Sequence, residues 1–196
     1  MKLSVLIPVY NEKNTINLIL KKVLDTKLNY DLKKEIIIVD DFSNDGTREI
    51  LKDLDLSSNE NIKLLFHDIN TGKGSAIQTG LKAVTGEFTI IQDADLEYDP
   101  NDYNKLLHPI INKGADVVYG SRFVGAGSTR VLFFWHRIAN GILTLLSNMK
   151  SNLNLTDMEC GYKIFKTSAI TSIKLKEKKF GFEPEVTLKL AKQGFS

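Results

Sequence analysis

EIIIVDD, residues Glu35–Asp41, sets four β-branched residues in a row and ends them on two adjacent acids. A run of that kind has no polar side. It predicts a strand over Glu35–Val39 buried on both faces, as in a parallel sheet covered by helices. Folding does not need the two acids. Asp40 and Asp41 therefore read as strand-end groups, one for a ligand amide or sugar edge, the other for the turn Ser43–Thr47.

Outward from this strand, helical and strand-like periods alternate. Upstream, Lys2–Val9 is an apolar strand stopped at Pro8–Asn11, and Glu12–Leu24 carries Ile16, Ile19, Leu20 and Val23 at helical spacing. Downstream, Ser43–Gly46 is a turn and helix start, with Ile50, Leu51 and Leu54 on one stripe. Then follow a strand at Ile62–Phe66, a helix at Gly72–Val84, a strand at Phe88–Gln92, a helix at Asn101–Asn112 and a strand at Ala115–Tyr119. The fold class is α/β: a doubly wound, mostly parallel sheet with helices on both faces, in one domain over residues 1–196. Ligands of such sheets sit outside the carboxyl ends of the strands. The chemistry belongs on Pro8–Glu12, Asp40-Asp41, His67–Lys73, Asp93–Glu97 and Gly120–Arg122.

The chain has 196 residues, 42% apolar and 26% charged, which suits one self-sufficient core. A net charge of +2 gives no reason to expect a nucleic-acid partner. A single cysteine, Cys160, excludes an intrachain disulfide and a cysteine-based zinc site, and reads as a buried thiol in a reducing compartment. Tyr10-Asn11-Glu12 interrupts the opening apolar run too early for a signal peptide. The expected location is cytoplasmic, with a peripheral contact at the inner face of the membrane.

Asp93-Ala94-Asp95-Leu96-Glu97 follows a strand. In extended chain Asp93, Asp95 and Glu97 face one point, and three crowded carboxylates call for a hard divalent cation such as Mg²⁺ or Mn²⁺. Asp99 reads instead as the cap of the next helix. Gly72-Lys73-Gly74 opens a helix, where an anion is favoured; a tight turn with an exposed lysine is the equal alternative. Arg122, at a strand end, is suited to a diphosphate. Thr156–Lys163 mixes acids with a glycine and a lysine. Glu183 and Glu185 lie at a helix start, where the helix dipole favours acids in any case.

In order along the chain, IPVYNE (Ile7–Glu12), IIIVDDFSNDGT (Ile36–Thr47), NTGKGSAIQTG (Asn70–Gly80), DADLEYDP (Asp93–Pro100) and GSR (Gly120–Arg122) resemble the family 2 glycosyltransferases of the GT-A fold. TDMECGYKIF (Thr156–Phe165) and FGFEPEVTLKLAKQG (Phe180–Gly194) look most like the branch that glycosylates polyprenyl phosphates, the dolichol-phosphate mannose and glucose synthase type. The resemblance implies that Pro8, Tyr10 and Glu12 hold the base and ribose of a nucleotide-diphosphate sugar, with Val39 and Asp41 completing the base pocket. It implies Asp93 and Ala94 on the ribose and sugar side, with Lys73 also on the donor. Asp95 and Glu97, with Asp93, would hold Mg²⁺ or Mn²⁺, and Arg122 would face the phosphates or the acceptor. Position 97 is Glu where many relatives have Gln. Position 163 is Lys where many have Arg, so a bidentate phosphate contact becomes a point-charge one. Relatives continue past Gly194-Phe195-Ser196 into a further strand and a basic segment, so the chain reads as truncated at its C-terminus.

The implied reaction is transfer of a hexose, with inversion, to an undecaprenyl or dolichyl phosphate. Asp93, Asp95 and Arg122 are the catalytic candidates. A lipid phosphate is already ionised and needs no base. A saccharide hydroxyl, as in cell-surface polysaccharide synthesis, needs one, for which Asp157, Glu183 and Glu185 are candidates on the acceptor side with Lys163. A third reading is an inactive sugar-nucleotide-binding fragment. A nucleotidyltransferase is disfavoured because no glycine-rich loop follows the first strand. Lastly, Val131–Asn148 packs ten large apolar residues into one helix length, with Arg130, His136 and Arg137 around Trp135. That composition suits a helix lying at a membrane interface, or else a core helix or an oligomer contact.

Overall fold

The computed structural model describes residues 1–54, 61–123, 134–179 and 181–195. Four strands, β1 (Lys2–Val9), β2 (Lys33–Asp40), β3 (Ile62–Phe66) and β4 (Phe88–Ile91), run parallel, as the alternation of strands and helices predicts. Two later strands, β5 (Val117–Tyr119) and β6 (Lys163–Lys166), complete the sheet order β3-β2-β1-β4-β6-β5. β6 is antiparallel to both of its neighbours. KIFK does not announce this strand, because it is short and begins on a lysine, yet Lys163 is fully buried.

Helices cover both faces. α1 (Ile16–Asp25), α2 (Thr47–Lys52) and α4 (Tyr103–Lys113) pack on one side with Val5, Ile7, Ile36 and Ile38. α3 (Lys73–Leu81), α6 (Thr167–Ser172) and α7 (Phe182–Lys192) pack on the other with Leu6, Ile37 and Val39. Alternate strand residues point to opposite faces, so each strand feeds both cores. α1 starts at Ile16 rather than Glu12, because residues 12–15 form a turn in which the Glu12 carbonyl accepts from Thr15 and Ile16.

Register places the functional ends together. Val9 pairs with Asp40, and the Asp41 N–H donates to the Val9 carbonyl at 2.8 Å. Next to them, the Gln92 N–H donates to the Leu6 carbonyl at 3.0 Å, and Gln92 Oε1 accepts from Tyr103 Oη at 2.9 Å. The carboxyl ends of β1, β2 and β4 therefore open on one side of the sheet.

α5 (Phe134–Ser151) occupies most of the predicted apolar helix; Arg130, Val131, Leu132 and Phe133 lie outside the described residues, as do Phe180 and Ser196. Its sidedness is the reverse of a core helix. The buried residues are Asn140, Thr144 and Ser147, whereas Phe134, Trp135, Ile142, Leu145, Leu146 and Met149 are exposed. α5 packs against α7. Among the described residues no helix is long and apolar enough to cross a membrane.

Candidate active site

A cavity of about 480 Å³ opens at the carboxyl ends of β1, β2 and β4. Pro8, Tyr10, Glu12, Asp41, Lys73, Asp93, Ala94 and Asp95 all line it, together with Val9, Asn70, Gly72, Ala76 and Lys179. Val39 does not. Its side chain points into the α3 face of the core and is fully buried.

The two acids at the end of β2 divide their work as their adjacency suggests. Asp40 accepts from Arg48 Nε at 2.7 Å and from the Ser43 amide, fixing the following turn. Asp41 lines the cavity, but its carboxylate is already held by the amides of Thr71 (3.0 Å) and Gly72 (2.6 Å) and by His67 Nδ1 at 2.7 Å. These hydrogen bonds outweigh its burial and hold its pKa below the usual carboxylate range. Asp41 thus ties β2 to the loop that enters α3.

The acidic segment is not extended. Residues 94–98 form a turn with Leu96 at φ 64°, so Asp93, Asp95 and Glu97 diverge instead of converging. Asp93 turns to Lys73 Nζ at 2.8 Å. Asp95 is exposed and accepts the Glu97 amide at 3.0 Å. Glu97 faces Arg122 at 3.8 Å and does not line the cavity. Among the described residues no three acids, histidines or cysteines gather to hold a metal, which corrects the expected three-carboxylate site. A hard cation that also binds a diphosphate needs only one or two protein carboxylates. Exposed Asp95, on the cavity lining, fits that smaller requirement. Asp99 caps the next turn through the Asn101 amide, as expected.

Lys73 is not the exposed lysine of a tight turn. It is bonded to Asp93 and to Glu183 (3.3 Å), and those carboxylates outweigh burial in raising its pKa. Gly161 packs against the same Asp93 carboxylate, where a Cβ would collide with it. The Gly161 amide donates to Tyr98 Oη at 3.1 Å, and Tyr98 stacks on Tyr162 with ring centroids 4.9 Å apart. The acidic turn and the 157–162 segment are therefore one packed unit.

The acceptor-side candidates separate sharply. Asp157 is buried and forms a bidentate pair with Arg122, at 2.8 Å to Nε and 2.9 Å to Nη2, and also accepts from Asn140 Nδ2 at 2.8 Å. Despite its burial, the Arg122 contacts hold its pKa down. It positions Arg122 and is no ready base. Glu185 likewise accepts the amides of Lys176 and Glu177 and Lys189 Nζ, and its pKa is lowered. Lys163 is turned inward: its Nζ donates to the Met158 and Cys160 carbonyls and lies 4.5 Å from the centre of the Tyr119 ring. Burial pushes its pKa down to about 8. Arg122 does not line the cavity and lies beyond the acidic turn, beside Glu97. Glu183 alone of the base candidates reaches the donor-side cluster, through Lys73. Two neighbours were not singled out by sequence. Glu159 has its pKa raised by burial and by Glu183, and its alternation with Asp157 was the available signal. Lys179 lines the cavity from a segment with no motif.

Comparison with known proteins agrees with the fold. The sequence model of Glycosyl transferase family 2 matches residues 4–173. A dolichol-phosphate mannosyltransferase of Pyrococcus furiosus is 36% identical over 138 residues, which are 70% of this chain and 38% of that protein. Glucosyl-3-phosphoglycerate synthase from Mycobacterium tuberculosis, solved with Mn²⁺, UDP and glucosyl-3-phosphoglycerate, superimposes with a TM-score of 0.69 at 19% identity, over 94% of this chain and 63% of that one. A mannosyltransferase from Pyrobaculum calidifontis, solved with GDP-Man and Mn²⁺, gives a TM-score of 0.68 at 20% identity, over 98% and 52%. The chain thus spans less than two thirds of each of these relatives. The two structural likenesses establish the fold.

Proposed function

The chain belongs to glycosyl transferase family 2 and has its GT-A fold, and from that premise we propose that it moves a hexose from a nucleotide-diphosphate sugar to a polyprenyl phosphate, with inversion. The relative named a dolichol-phosphate mannosyltransferase supports the acceptor class. The observation that carries it is α5. A helix whose buried residues, Asn140, Thr144 and Ser147, are all polar and whose aromatic and aliphatic residues are exposed beside His136 and Arg137 is arranged for a lipid surface, where a polyprenyl phosphate presents its head group. The protein then sits peripherally at the inner face of the membrane.

In this reading Tyr10, Pro8, Glu12 and Asp41 receive the nucleoside, and Asp93 with Lys73 borders the sugar. Asp95 is the residue that would hold Mg²⁺ or Mn²⁺, which supplies charge neutralisation for the departing nucleoside diphosphate. Arg122, set by Asp157, faces the acceptor phosphate. That phosphate is ionised near neutral pH, so no general base is required, in keeping with the engagement of Asp157 and Glu185 by their own donors. A saccharide hydroxyl acceptor would need a base. Glu183 and Glu159 are the carboxylates to test for it, the second because burial and the neighbouring Glu183 raise its pKa and so strengthen it as a proton acceptor.

The test is turnover of UDP- and GDP-hexoses with Mn²⁺, offered a polyprenyl phosphate in liposomes beside soluble saccharides. The expected product is the glycosylated lipid phosphate. Transfer to saccharide alone would overturn the acceptor, and donor binding without any transfer would favour the non-catalytic reading.

A further inference from the structure

The segment KLKEKK (Lys174–Lys179) between α6 and α7 reaches the cavity at its last residue, Lys179. Its Glu177–Lys179 part lies across the start of α3. The Ser75 N–H donates to the Lys178 carbonyl at 3.0 Å, and Gln78 Nε2 donates to the Glu177 carbonyl at 2.8 Å. Gly72 and Gly74 permit this approach. A Cβ on Gly72 would sit 2.5 Å from the Lys178 oxygen, and one on Gly74 would run into the Glu177 carbonyl. From the opposite side Glu185 accepts the Lys176 amide at 2.9 Å and the Glu177 amide at 2.8 Å. The backbone is thereby fixed between α3 and α7, and it presents the Lys179 side chain to the cavity.

The charge balance around the cavity gives that placement a consequence. Glu12, Asp41, Asp93 and Asp95 contribute carboxylates to the lining, against Lys73 and Lys179. Lys73 is engaged by Asp93 and Glu183, and nearby Arg122 by Asp157 and Glu97. Among the described residues, Lys179 forms no ion pair. The start of α3 is a weakened anion site, because the Ser75 amide is directed at the Lys178 carbonyl. Besides the divalent ion that Asp95 would hold, Lys179 is the lining cation that a diphosphate entering this acidic cavity would meet without a paired carboxylate among the described residues.

We propose that Lys179 is the donor-pocket cation that meets the diphosphate of the nucleotide, held in place by the packing of Glu177–Lys179 on Gly72 and Gly74. The inference rests on the sugar-nucleotide reading above and adds a binding residue to it. An ammonium on an exposed wall acts as a point charge, so its contribution falls as salt rises.

Calorimetry on the full chain separates the alternatives. The titrants are UDP and GDP with Mn²⁺, and uridine and guanosine alone, at low and high salt. Lys179→Gln weakens diphosphate binding about tenfold at low salt, a gap that narrows at high salt, and leaves nucleoside affinity unchanged. Lys179→Arg restores most of the affinity, and Lys178→Gln, which alters a side chain outside the cavity lining, behaves as wild type. Wild-type diphosphate affinity in Lys179→Gln overturns the proposal while leaving the donor reading intact. Equal losses for nucleoside and diphosphate overturn the charge role and assign Lys179 to packing. A wild-type chain that binds neither diphosphate overturns the donor reading, and the role of Lys179 with it.

Discussion

α1 and α5 are both amphipathic helices of one small molecule, and they are mounted in opposite senses. α1 buries Ile16, Ile19, Leu20 and Val23 against the sheet and turns Lys21 and Lys22 to water. α5 buries Asn140, Thr144 and Ser147 and turns Trp135, Ile142, Leu145 and Leu146 outward. Periodicity finds both helices, but it reports only that one side is apolar. It does not report which medium that side faces. The first helix is held by the protein core. The second is held by a polar seam, in which Asn140 bonds Asp157 and Thr144 Oγ1 accepts the Met158 amide at 3.1 Å.

The largest effect expected from breaking this contrast is on the core side. Ile19→Ala removes a fully buried side chain and is expected to cost about 3 kcal/mol. For a domain of this size that lowers Tm by roughly 6–12 °C, read by thermal denaturation. A loss below about 1 kcal/mol would mean that α1 is held no more firmly than α5.

Next comes the seam of α5. Asp157→Ala leaves Arg122 and Asn140 without their shared acceptor and is expected to cost about 2 kcal/mol, with loss of lipid-acceptor turnover. The same carboxylate sets a pH dependence. Its folded pKa is depressed, so its stabilisation is fully present above the unfolded value of about 3.9 and is lost as pH falls further through the folded value. Urea midpoints of wild type should therefore fall more steeply below about pH 4 than those of Asp157→Asn. Parallel slopes would show that the pair does not contribute. Asn140→Ala, which removes only one donor to Asp157, is expected to cost about 1 kcal/mol.

The same contrast marks how far the sequence was legible. Strands β1 to β4 were readable, because short apolar runs alternate with helical stretches along the chain, and the residues that the family resemblance implies for the donor follow those strands. Eight of the nine expected donor-side residues line one cavity: Pro8, Tyr10, Glu12, Asp41, Lys73, Asp93, Ala94 and Asp95, with Val39 in the core. The rest depended on contacts that sequence spacing does not encode. Leu96 at positive φ turns the acidic segment out of its extended form. Lys163, read as a phosphate ligand, is consumed by carbonyls of its own loop. Lys179 enters the site only because a distant segment packs on two glycines of α3.

The smallest expected effect on stability is the one that most sharpens the comparison. Phe134 and Trp135 are 68% and 74% exposed and touch each other edge-to-face at 5.2 Å. Removing side chains already in water forfeits little folding free energy, so Phe134→Ala with Trp135→Ala should change stability by no more than about 0.5 kcal/mol. A membrane interface is a different partner. Each ring that enters it leaves water, and every 1.4 kcal/mol lost on truncation is about tenfold in affinity. The double variant is therefore expected to bind liposomes at least about tenfold more weakly and to lose lipid-acceptor turnover in proportion, with nucleotide affinity unchanged. Cosedimentation and calorimetry read the two quantities separately. If the variant instead loses more than about 2 kcal/mol of stability, these rings are structural and α5 is an ordinary helix after all. If stability and liposome binding are both unmoved, the exposed side of α5 faces something other than lipid, and the acceptor must be sought among soluble saccharides.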